Sequence, residues 1–83
     1  MFPITTKKDL HSLAAEMEKQ LDNMGYDIAV KLYSVYDGRI GCGFYQRIGY
    51  KLILATGTGS NSYILNAMKE CFRHIVNNPM RYQ

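Results

Sequence analysis

The stretch Gly57-Thr58-Gly59-Ser60-Asn61-Ser62 comes nearest to chemistry in this chain. Glycines followed by small hydroxyl and amide side chains at the head of a helix can turn backbone N–H groups toward an anion. Thr58, Ser60, Asn61 and Ser62 add neutral donors, a set suited to a phosphate, a nucleotide or an acidic side chain. The stretch is neither the dinucleotide fingerprint nor a P-loop, because no lysine follows the glycines. The plainer reading of the same residues is a strand-to-helix connection with an N-cap at Ser60, Asn61 or Ser62.

Other reactive residue types are scattered. Cys71 and His74 stand three apart and could face each other on a helix, but a thiolate–imidazole pair needs an exposed cysteine and an orienting acid. Cys71 falls instead on an apolar stripe. His11 and His74 have no partners at metal-ligand spacing. The acids sit mainly in the first helical stretch and at turns, with no carboxylate pair and no triad. The chain therefore reads as a binding protein rather than an enzyme, with no cofactor and no metal.

The elements that position these residues follow from periodicity. Thr6-Lys7-Lys8-Asp9 fits a capping box. Leu10, Leu13, Ala14, Met17, Leu21 and Met24 then recur at the spacing of one helix face, and Gly25 supplies a C-terminal stop. This predicts a helix over about 6–24. Ile28, Val30 and Leu32 alternate with Ala29, Lys31 and Tyr33, a strand over about 27–36. Asp37-Gly38 signals a tight hairpin turn. Ile40, Cys42 and Phe44 alternate with Gly41, Gly43 and Tyr45, a strand over about 39–47. Ile48-Gly49 turns the chain. A third strand over about 50–56 places Tyr50, Leu52 and Leu54 opposite Lys51, Ile53 and Ala55. Ile64, Ala67, Met68, Cys71, Phe72 and Ile75 mark a second helix over about 61–77, ended by Asn77-Asn78-Pro79. Residues 79–83 read as a loose tail.

Eighty-three residues make one domain, and 47% hydrophobic with 20% charged residues argues against disorder. A net charge of +3 permits nucleic-acid contact without the dense basic cluster of a dedicated phosphate binder. The N-terminus lacks the apolar core of a signal peptide, and no apolar run is long enough to span a membrane. Cys42 and Cys71 then read as buried free thiols, and the location as cytoplasmic.

These elements make a two-layer α+β domain, helix–strand–strand–strand–helix. Its three-stranded antiparallel sheet is covered on one face by two helices. The covered face would carry Ile28, Val30, Leu32, Ile40, Cys42, Phe44, Leu52 and Leu54. The open face would carry Lys31, Tyr33, Val35, Gly41, Gly43, Tyr45, Arg47, Lys51 and Ile53, with a shallow groove over the glycines between Tyr33 and Tyr45. An aromatic, basic and partly apolar face marks an interaction site. Lys31, Tyr33, Tyr45, Arg47 and Lys51 are the partner-binding candidates, since tyrosine and arginine anchor interfaces and also stack single-stranded bases.

The order of elements resembles the double-stranded-RNA-binding domain. In sequence the likeness is carried by Gly57-Thr58-Gly59-Ser60, with Ser60 on the serine that opens that family's lysine motif. The three lysine positions fall on Asn61, Ser62 and Leu65, so the phosphate grip that the family implies is missing here. The loop between strands one and two, which in that family reaches a minor groove, is here a bare Asp37-Gly38 turn.

The expected function is that of a small protein that occludes or bridges a macromolecular partner, in size and style like phage-encoded inhibitors of a host system. The expected partner is a protein, and self-association as a homodimer through the open face is a further expectation. Two alternatives stand beside it. One is a divergent nucleic-acid binder using Lys7, Lys8 and Lys51 beside Ser60–Ser62. The other is an anion or nucleotide site at Gly57–Ser62.

Overall fold

A computed structural model describes residues 7–35 and 37–83, without the side chains of Lys7 and Lys8. The expected capping residue Thr6 lies outside the described residues, as does Tyr36. Helix α1 (Lys7–Asn23) leads to strands β1 (Ile28–Ser34) and β2 (Ile40–Gln46), a 3₁₀ turn (Ile48–Tyr50) and strand β3 (Lys51–Gly59). Helix α2 (Asn61–Val76) and a short helix α3 (Pro79–Tyr82) complete the chain. The strands form one antiparallel sheet in the order β1-β2-β3. The α+β arrangement is the one that the hydrophobic periods predict.

The core lies between the sheet and the two long helices. Leu10, Leu13, Ala14, Met17 and Leu21 of α1 meet Ile28, Val30, Ile40, Cys42 and Phe44 of the sheet and Ile64, Met68 and Ile75 of α2. Burying a side chain of this size contributes about 1.5–3 kcal/mol. Helix α1 stops because Gly25 takes φ +94°. That conformation lets Tyr26 N–H reach Leu21 O at 2.9 Å and Gly25 N–H reach Asp22 O at 3.0 Å, closing the orphan carbonyls. Tyr26 then enters the core beside Leu21.

Strand β3 departs from simple alternation at two places. Phe44 pairs with Leu54 but Tyr45 pairs with Leu52, so Ile53 is an extra residue. Each such bulge reverses which face the following side chains take. Leu52, expected in the core, therefore shares the open face with Tyr45, whereas Ile53, expected on the open face, packs against the core. Lys51 pairs with Gln46 and falls to the helix side of the sheet. The second bulge sets Thr56 and Gly57 opposite Cys42. There Thr56 Oγ1 accepts the Cys42 N–H at 3.0 Å and donates to Gly57 O at 2.7 Å, and the ladder continues through Thr58 and Gly59, beyond the expected strand end.

Three smaller expectations are corrected. The β1–β2 connection is bracketed by Val35 N–H on Arg39 O at 3.0 Å, and of Asp37 and Gly38 only Gly38 has a positive φ. The turn is thus one residue longer than a two-residue hairpin. Tyr50 belongs to the turn before β3, not to the core face of that strand. Residues 79–82 are helical rather than loose, and the Gln83 amide donates to Met24 O at 2.7 Å.

Candidate interaction face

The open side of the sheet carries three rows set by the strand register. Ala29, Tyr45 and Leu52 form one, Lys31, Gly43 and Ala55 the next, and Tyr33, Gly41 and Thr58 the third. The two glycines do not leave a groove. Tyr33 is the cross-strand partner of Gly41, and its ring occupies the space that a Cβ there would take. Tyr45 leans back over Gly43, where an added Cβ would lie 2.6 Å from its Cε1. With glycine at both positions the rings lie against the backbone, and the expected depression is filled.

Beyond Tyr45 the face extends into the 3₁₀ turn. Gly49 takes φ +81° and Tyr50 takes φ +53°. A bulky residue in the left-handed region costs roughly 1–2 kcal/mol. This conformation brings the Tyr50 ring onto Tyr45 at a centroid distance of 4.9 Å, 11° from parallel. Tyr50 is 54% exposed, Leu52 53% and the neighbouring Ile48 78%. The sequence reading missed these three residues. The Gly49-Tyr50 pair was their only local signal, since glycine there permits a turn that forces its neighbour out of the strand.

Of the five candidates, Lys31, Tyr33 and Tyr45 share the open face; Lys51 and Arg47 do not. Arg47 leaves β2 in helical geometry, φ −60° and ψ −45°, and its guanidinium turns to the end of α1. It donates to Asp22 Oδ1 and Asp27 Oδ1 at 3.1 Å each and reaches Glu18 Oε2 at 3.5 Å. The hydrogen bonds to Asp22 and Asp27 raise its pKa further above its ordinary value. Glu18 also accepts the Val30 N–H of the edge strand at 2.8 Å. This cluster closes one end of a groove of about 460 Å³ between α1 and β1.

The Gly57–Ser62 stretch is strand and cap. Gly57 and Gly59 lie in β3, and Ser60 is the N-cap of α2, its Oγ accepting Tyr63 N–H at 3.3 Å. The Tyr63 ring covers Gly59, and its hydroxyl donates to Thr56 O at 3.1 Å, so a ring fills the space that a ligand would need to approach that glycine. Asn61 and Ser62 open the first turn of the helix.

Neither thiol is poised for chemistry. Cys42 and Cys71 are both free. Burial, and secondarily the neighbouring Cys71, push the Cys42 thiol up to about 12. Burial raises Cys71 as well. His74 sets its ring edge-on to Tyr82 at 5.7 Å. Among the described residues no group of three or more His, Cys, Asp or Glu could hold a metal ion, and no helix is long and apolar enough to cross a membrane. No protein-family model, no curated protein and no solved structure is significantly similar to this chain.

Proposed function

We propose that the chain is a small non-enzymatic binding protein that occludes or bridges a protein partner through its open sheet face. The observation that carries this reading is Tyr50, held in a strained conformation that sets its half-exposed ring on Tyr45 beside Leu52. Strain of this kind collects at functional sites. An apolar aromatic patch of this sort is what an interface core uses. Nucleic acid is the weaker reading. Tyrosine rings suit base stacking, but a backbone-tracking groove needs several cations, and Lys31 is the only one at a register position on this face among the described residues.

The test is affinity capture with the immobilised chain, comparing wild type with Leu52→Glu, Tyr50→Ala and Arg47→Gln. Partners should be lost with the first two substitutions and kept with the third. Equal capture by wild type and Leu52→Glu would remove the open face from consideration.

A further inference from the structure

The open face also specifies what kind of segment fits it, granted the reading above that it binds a protein. Strand addition at the sheet edges is disfavoured. On β1 the Val30 N–H is already bonded to Glu18. On β3 the ladder is broken by the bulges at Ile53 and at Thr56-Gly57, and bulges deter edge pairing. Recognition therefore falls to side chains on the face itself.

That face is small. Strands of seven residues and a width of three strands give about 23 Å by about 14 Å. This footprint of a few hundred Å² is short of the ~800 Å² that each side of a standard interface buries. A second copy of the chain packed face to face would be undersized. It would also set Lys31 against a face with no carboxylate at any register position among the described residues. One helix, about 10 Å across and about 21 Å long over four turns, matches the footprint. It would complete the helix–sheet–helix layering that leaves no apolar sheet face uncovered. Tyr45, Tyr50 and Leu52 lie at one end and Tyr33 at the other, so an apolar stripe can run between them. Lys31 stands on the edge strand, beside that path.

We infer that the occupant of the open face is one acidic amphipathic helix of a partner protein, with a carboxylate flanking its apolar stripe to meet Lys31.

The test pans a random peptide library, its members long enough for about four helical turns, on the whole chain. Recovered peptides are measured against wild type, Leu52→Glu, Tyr33→Glu and Lys31→Glu. All three positions are exposed, and matching melting curves identify the variants that keep the fold. The expected peptides carry apolar residues at helical spacing with a flanking Asp or Glu, and become helical on binding by circular dichroism. They lose on the order of tenfold or more in affinity with Leu52→Glu or Tyr33→Glu. They lose severalfold with Lys31→Glu, and changing the peptide acid to lysine restores that loss. Peptides that need Leu52 but bind as extended chains, or ignore Lys31, overturn the helix inference and leave the face reading intact. If no peptide depends on Leu52 or Tyr33, or if single-stranded oligothymidylate binds and is lost with Tyr50→Ala, both readings fall.

Discussion

Tyr50 stacks on Tyr45 at 4.9 Å from a backbone conformation that tyrosine rarely adopts. Such a stack returns about 0.5–1.5 kcal/mol, of the same order as the roughly 1–2 kcal/mol that the left-handed conformation costs. The two nearly cancel, so substitution can separate a structural role for Tyr50 from a binding one. Tyr50→Asn keeps a residue that tolerates the turn and removes the ring. Its unfolding free energy in urea should stay within about 1 kcal/mol of wild type while partner affinity drops. A loss above about 2 kcal/mol would make Tyr50 a structural residue.

Gly43→Ala should dislodge the Tyr45 ring, since the new methyl would stand 2.6 Å from Cε1. The methyl meets the far end of a partly exposed ring that can swing toward solvent. The cost should therefore be about 1 kcal/mol or less, below that of overpacking a closed core. Gly41→Ala should behave likewise toward Tyr33, and Tyr33→Ala should recover most of that cost. A double-mutant cycle with no coupling between positions 33 and 41 would show that the ring does not rest on the glycine.

Arg47→Gln should lower stability by about 1 kcal/mol or less at low salt, and by less again as salt rises, because its ion pairs are partly exposed. Partner affinity should not change, since Arg47 faces α1. Denaturation at two ionic strengths, with a binding measurement alongside, checks both halves.

Thr56→Val should cost about 1–3 kcal/mol by stranding the Cys42 N–H inside the sheet. Thr56→Ser keeps the hydroxyl and should recover most of that loss in thermal melts.

The pH dependence of stability should report Cys42. Its thiol titrates near 9.0 when unfolded and is pushed up to about 12 in the fold. The folded state therefore holds more protons above pH 9, and stability falls as pH rises. The slope approaches about 1.4 kcal/mol per pH unit for this one group. Cys42→Ala should flatten the curve relative to wild type between pH 9 and 12. Parallel curves for the two proteins would show that Cys42 is not the titrating group.

Much of this was legible in the residues themselves. The Leu10–Leu21 spacing and Gly25 define α1 and its stop, because both are local properties of the chain. Ile40, Cys42 and Phe44 alternate cleanly, and so the covered face of β2 was readable, as were Tyr33 and Tyr45 opposite it. Strand β3 was not, because Lys51, Leu52, Ile53 and Leu54 fit alternation in either register, and pairing with β2 alone reveals which residue is extra. Arg47 was misplaced by odd–even counting, which fails once the backbone leaves extended geometry. The role of Gly41 and Gly43 depends on rings that reach them from Tyr33 across the strand and from Tyr45 two residues on.

The extra residue at Ile53 acts as a phase shift written into the length of one strand. Remove that residue and the pairing is unchanged, with Leu52 still outward opposite Tyr45 and Lys51 still opposite Gln46. Keep it but pair the strand residue for residue from Leu54, and Leu52 would turn into the core while Ile53 and Lys51 swing out. A one-codon deletion of Ile53 would thus keep the outer row of Tyr45 and Leu52 and lose only a side chain that packs against the core. In this fold, the bulge in β3 decides as much as the identity of its side chains which residues the open face presents.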